Sequence, residues 1–179
     1  MEIYVVRHGQ TDYNKKGLFQ GQKDIPLNEI GISQAKDMAK KFKEINIDKI
    51  LVSPLSRAYE TAKYISKTIG IEPQIEEGLI ERSFGEMEGK PNSEECNIKM
   101  LLDYDKNYSI FNVEPIQDFF CRVGKTIEEI VKANNQKNII LVTHACVTEA
   151  IEFYFNGMPE NKDIESMALK NCEIRKYVI

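Results

Sequence analysis

Asn138-Ile139-Ile140-Leu141-Val142-Thr143-His144-Ala145 is the stretch on which the fold turns. Its four consecutive aliphatic residues predict a strand, and that strand runs directly into a histidine. From Ala145 to Phe155 the pattern becomes helical until Gly157 and Pro159 stop it. Upstream, Ile116, Phe120, Val123, Ile127, Ile130 and Val131 recur at helical spacing and predict a long amphipathic helix. Downstream, Cys172 to Ile179 reads as an edge strand.

The first half repeats this alternation. Ile3 to Val6 predicts a short strand that stops at Arg7-His8-Gly9, followed by a polar loop ending near Pro26-Leu27-Asn28. Asn28 is the expected N-cap of a helix carrying Ile32, Ala35, Met38, Ala39, Phe42 and Ile45. Ile50-Leu51-Val52 predicts a second strand. Ser53 is then the expected cap of the next helix, with Pro54 at its first position and Gly70 at its end. A short strand is expected over Ile71 to Ile75, and one helix near Ser93 to Asp105. Strands alternating with helices through 179 residues give an α/β fold. The expected architecture is a three-layer α-β-α sandwich around a mostly parallel sheet, with residues 1–179 forming a single domain.

The formal net charge of −4 and the pI near 5.4 give no support to binding of nucleic acid or anionic membranes. No apolar run approaches the roughly 18 residues that span a bilayer, and the first residues read as a strand rather than a targeting segment. The four cysteines, Cys96, Cys121, Cys146 and Cys172, form no CxxC pair and are expected as buried reduced thiols. A cytoplasmic protein is the expectation.

The chain has only two histidines. His8 and His144 each follow a predicted strand, and in an open parallel sheet the carboxyl ends of the strands share one ligand-binding edge. Arg57, in the first turn of the helix after Ile50-Val52, belongs to the same edge, and Arg7 directly precedes His8. Two arginines and two histidines on one rim read as a phosphate pocket. A metal is not expected, because the histidines show neither H-x-H nor H-x-x-x-H spacing and the arginines would repel a cation.

Arg7-His8-Gly9-Gln10-Thr11, with Asn14, Gln20-Gly21, Asp24-Ile25-Pro26-Leu27, Gly31 and Gln34-Ala35, resembles the opening signature of the histidine phosphatase superfamily, the phosphoglycerate-mutase-like family. Ser53-Pro54-Leu55-Ser56-Arg57-Ala58-Tyr59-Glu60-Thr61-Ala62 resembles its second block. Leu79-Ile80-Glu81 with Phe84-Gly85 and Glu88-Gly89 resembles the third, and Val142-Thr143-His144-Ala145 the fourth. The resemblance implies that His8 is the nucleophile that becomes phosphorylated. Arg7, Arg57 and His144 complete the phosphate pocket, and Glu81 takes the place of the proton donor. It puts Asn14, Gln20 and Gly21 at the substrate, with side-chain amides on the phosphoryl group, and it implies no cofactor.

Elementary chemistry agrees with those roles. Positioned cations stabilise the charge on a phosphoryl group in transfer, and a neutral imidazole is a competent nucleophile near neutrality. An alkoxide leaving group needs a proton, which a buried carboxylic acid supplies. The sequence also departs from the family pattern. Ala145 stands where glycine is usual, Leu18 where an arginine often precedes Gln-Gly, and Met87 where tryptophan is frequent. Val113-Glu114-Pro115 replaces a common Gly-Glu-Ser.

The expected activity is hydrolysis of a small phosphorylated metabolite through phosphohistidine. The alternatives are a phosphoglycerate-type phosphomutase and a non-catalytic phospholigand-binding protein. Mutases of the family have longer chains with shielding loops, and a sensor would be expected to lose one of the five central residues. Lys90, Lys99 and Lys106 are scattered lysines that could approach a second anionic group. Residues 78–112 are the expected substrate lid, and the oligomeric state stays open.

Overall fold

The computed structural model describes residues 1–93 and 97–179. Five strands form one sheet: β1 (Glu2–Arg7), β2 (Lys49–Val52), β3 (Pro73–Ile75), β4 (Ile139–Thr143) and β5 (Ile174–Val178), in the order β3-β2-β4-β1-β5. Four of them are parallel. β5 runs antiparallel to β1 and closes that edge, as expected for the tail.

The helices are α1 (Asp12–Lys16), α2 (Glu29–Ala39), α3 (Ser56–Ile69), α4 (Ile98–Leu101), α5 (Ile116–Ala133) and α6 (Ala145–Asn156). Side chains alternate across a strand, so β4 divides its apolar run between two cores. Ile139 and Leu141 join Ile3, Val5 and Leu51 under α5 and α6. Ile140 and Val142 join Tyr4, Val6, Ile50 and Val52 under α2 and α3. These two apolar layers make the three-layer sandwich. Among the described residues, no helix is long and apolar enough to cross a membrane.

Three local expectations need correction. The helix after Ser53-Pro54 begins at Ser56, with Leu55 at the N-cap and no side-chain cap of its own. Ser53 is drawn off to His144, and Asp24, reaching in from the preceding loop, accepts from Ser56 N–H at 2.7 Å in its place. The expected strand at Ile71 is shorter and starts at Pro73, on the edge where a missing N–H costs no ladder bond. Of the helix expected over Ser93 to Asp105, the single turn Ile98–Leu101 is observed, capped by Asn97; residues 94–96 of that expectation lie outside the described residues. Cys146 and Cys172 are buried free thiols as expected, Cys121 is exposed and corrects that expectation, and Cys96 lies outside the described residues.

Candidate active site

The two histidines meet because their strands are neighbours. Arg7 on β1 pairs with Thr143 on β4, so His8 and His144 follow matching positions of adjacent parallel strands. The ladder extends one step further, with His8 N–H donating to Thr143 O at 2.9 Å. Adjacent strands lie about 4.8 Å apart, and the imidazole centroids are 5.2 Å apart with planes tilted by 60°.

The loop after His8 is held by close backbone contact. A Cβ on Gly9 would lie 2.5 Å from Gly31 O, and one on Gly31 would lie 2.1 Å from Gln10 O. Only glycines let the loop press against the first turn of α2 in this way. His8 Nδ1 sits 2.6 Å from Gly9 O. A carbonyl can only accept, so Nδ1 carries the proton and Nε2 holds the free lone pair. Burial, then Arg57, then Arg7 push the His8 pKa well below its ordinary 6.5 and keep the ring neutral.

Arg57 is fully buried beside His144. Its Nη2 donates to Gly21 O and its Nη1 to Lys23 O, both at 2.8 Å, and its Nε donates to His144 Nδ1 at 3.2 Å. His144 therefore accepts through Nδ1 and carries its proton on Nε2, which lies 2.7 Å from Ser53 Oγ. Burial and the same arginine also hold its pKa well below the ordinary value.

Beside His8 opens a cavity of about 370 Å³. Arg7, His8, Asn14, Gln20, Gly21 and Glu81 all line it, whereas Arg57 and His144 stand behind its wall. Arg7 Nη1 donates to Leu169 O at 2.8 Å, and its buried Nε has no protein partner. Asn14 and Gln20 are each half committed. Asn14 Oδ1 accepts from Thr11 N–H in the capping box of α1, and Gln20 Oε1 accepts from Thr11 Oγ1 at 2.8 Å. Their amide N–H₂ groups are what an oxyanion could use. Gly21, at φ +53°, positions Arg57 through its carbonyl and leaves room for the Glu88 carboxylate, which a Cβ would meet at 2.0 Å.

Glu81 reaches the cavity from an irregular segment tied to the sheet, since Thr143 Oγ1 donates to Leu79 O at 2.8 Å. Its Oε1 accepts from Arg82 N–H at 2.9 Å and its Oε2 from Cys146 N–H, in the first turn of α6, at 3.4 Å. Burial raises its pKa, against the opposing pull of those two N–H groups, Arg57 and Arg7. The carboxyl thus keeps its proton above the usual carboxylate range. Among the described residues, no three His, Cys, Asp or Glu side chains converge as a metal cluster.

The residues 3–179 match the model of the histidine phosphatase superfamily (branch 1). The chain belongs to that family. A Hydrogenobacter thermophilus protein named "Putative phosphoserine phosphatase 2" is 35% identical over 161 residues, covering 87% of this chain and 79% of its own. "Probable phosphoglycerate mutase GpmB" of an Enterobacter species is 26% identical over 98% of this chain and 84% of its own. Among solved structures, a phosphoserine phosphatase from Entamoeba histolytica in complex with 3-phosphoglyceric acid superposes with a TM-score of 0.80. It is 27% identical and covers 99% of this chain and 90% of its own.

Four residues in or around this candidate site escaped sequence reasoning, and of these only Glu149 lines the cavity. Ser53 and Asp24 lie inside the quoted motifs, but their hydrogen bonds cross from one segment to another and leave no periodic trace. Arg82 is fully buried, with Nε on Glu114 O and Nη1 on Leu101 O. Glu149 occupies the buried face of α6, where helical spacing predicts an apolar residue. That break in the pattern was the available signal.

Proposed function

We propose that this phosphatase works through a phosphohistidine on Nε2 of His8 and acts on small phosphorylated metabolites. The observation that carries the reading is the His8–Gly9 hydrogen bond, which leaves Nε2 unprotonated on the cavity wall. His8 attacks phosphorus while Arg7 and the amides of Asn14 and Gln20 meet the equatorial oxygens, with Arg57 and His144 lending charge and orientation from behind. Glu81 gives its proton to the leaving oxygen. It then takes one from the water that releases inorganic phosphate.

Hydrolysis is favoured over mutase chemistry by the wall itself. A mutase must hold a second anionic group, yet Arg7 is the one basic side chain among the described residues lining the cavity, and Leu18 lines it where an arginine is frequent. The name of the Hydrogenobacter relative puts phosphoserine on the panel of esters to be tested.

Residues 1–179 are read as one domain. The described part of residues 78–112, which brings Glu81, Phe84, Asn92 and Ile98 to the cavity, is read as its substrate lid. A cytoplasmic protein without metal, cofactor or nucleic-acid partner suits the negative net charge and the arginine-based site.

The test is phosphate release from a panel of aryl and alkyl phosphomonoesters in the presence of chelator, with rapid quenching to trap an acid-labile phosphoprotein. Turnover and label should both appear, and both should vanish in His8→Ala. Full activity in that variant would end the phosphohistidine mechanism.

A further inference from the structure

Glu149 sits on the cavity wall without an evident structural duty. It is 3% exposed, and its Oε2 has no hydrogen-bond partner in the protein. A buried carboxyl oxygen left unpaired costs stability, and such groups usually persist for a reason. The Cys146 thiol, one turn earlier on α6, hydrogen-bonds the carboxyl. Among the described residues no ion pair engages it, and Arg82 and Arg7 only partly offset the cost of its burial. Arg82 Nη2 is also buried without a partner, so the two orphans do not reach each other, and the other nitrogens of Arg82 are tied to carbonyls. Arg7 lines the cavity beside His8, with its Nη1 held by Leu169 O.

Beyond Arg7 at the His8 end, the surroundings add carboxyl groups rather than further cations. Glu81 lines the same cavity, and exposed Glu165 stands at its rim. The remaining wall is largely apolar, including Phe19, Phe84 and Ile98. A ligand whose far end bears a carboxylate or second phosphate would meet carboxyl groups there, and Arg7 is the one arginine or lysine among the described lining residues.

We infer that Glu149 is a specificity residue that receives a positively charged, N–H-bearing group on the substrate's non-reacting end, so that the preferred substrate is a phosphomonoester of an amino alcohol. The inference rests on the phosphatase reading and adds the chemistry of the leaving group. Glu149 lies one turn along α6 from Ala145, and helical side chains lean toward the N-terminus. Binding a cation there gives Oε2 the donor it lacks and favours the ionised carboxylate over the protonated form that burial maintains in the free protein.

Three esters that differ in their terminal group test this: 2-aminoethyl phosphate, propyl phosphate and carboxymethyl phosphate. The wild-type enzyme should favour the amine over propyl phosphate by about tenfold, chiefly in KM, with the carboxylate poorest. In Glu149→Gln the preference for the amine should collapse to about one. The same order should appear as dissociation constants measured with His8→Ala, which needs neither turnover nor a stable Glu149 variant. Equal handling of all three esters, a preference for the carboxylate, or a preference that survives Glu149→Gln would each overturn the inference. Wild-type inactivity toward p-nitrophenyl phosphate, with the binding order intact, would sink the phosphatase reading instead and leave the assignment of Glu149 standing.

Discussion

At the phosphoryl end of the cavity, the key side chains are pinned to fixed partners: His8 to Gly9 O, Arg57 to two carbonyls and His144, and His144 to Ser53. On the α6 wall of the same cavity, Glu149 keeps an oxygen bare and Cys146 contributes only a thiol. The first region rides on strand ends and a first helical turn, so its geometry exists before any ligand arrives. The second is chemically unfinished. Preorganised groups lower a reaction barrier because they need no rearrangement in the transition state, whereas an unpaired group is completed only by the right ligand. The contrast separates chemistry, which is built in, from choice of substrate, which the ligand completes.

Breaking the preorganised end should have the largest consequence. Glu81→Gln should slow alkyl phosphates by about 10²- to 10⁴-fold while aryl phosphates, whose leaving groups need no proton, lose far less. In the wild type, burial lifts the Glu81 pKa, so alkyl turnover should fall as pH rises past that elevated value, and aryl turnover should lack this limb. The neutral form of His8 extends below the ordinary histidine range, so the acid limb should lie below pH 6.5 in kcat/KM. Equal losses on both ester classes would remove Glu81 from its role.

A smaller effect is expected at Arg57. Lysine keeps the charge but cannot hold Gly21 O, Lys23 O and His144 Nδ1 together, so Arg57→Lys should reduce kcat/KM by about 10²-fold on every ester alike. A loss confined to one leaving group would place Arg57 at the wrong end of the cavity.

The smallest effect is on stability, and it belongs to the unfinished wall. Burial raises the Glu149 pKa well above its ordinary 4.5. As pH rises above that value the unfolded chain gives up a proton that the native state retains, so stability falls until the native carboxyl ionises too. Glu149→Gln removes this cost. It should stabilise the free protein by about 1–3 kcal/mol at pH 8, and the gain should fade as pH approaches 4.5. Denaturant melts at the two pH values measure it. A variant less stable at pH 8 would mean that the carboxyl is satisfied in the native protein.

Much of this was legible before any coordinates. Arg7, His8, Asn14, Gln20, Glu81 and His144 are marked by short motifs whose spacing is local, and the strand runs place both histidines at one sheet edge. Helical periodicity was read well where both partners of the pattern lie on one segment, as in Ile116 to Ile130. It overreached at Ser53, whose hydroxyl lies 2.7 Å from a histidine 91 positions away and accepts only a long 3.4 Å bond from Leu55 N–H at the helix start. It was silent on Glu149, because a carboxyl on a buried helical face looks like an error until the cavity it borders is seen.

The sequence by itself marked the candidate site residues and determined that alternating strands and helices would gather them at one edge, since backbone periodicity is written residue by residue. Tertiary structure alone decided that β4 lies between β1 and β2, which puts His144 beside His8, and which oxygen and nitrogen atoms are left over. Strand order and hydrogen-bond satisfaction depend on contacts between segments far apart in the chain, and no local pattern encodes them.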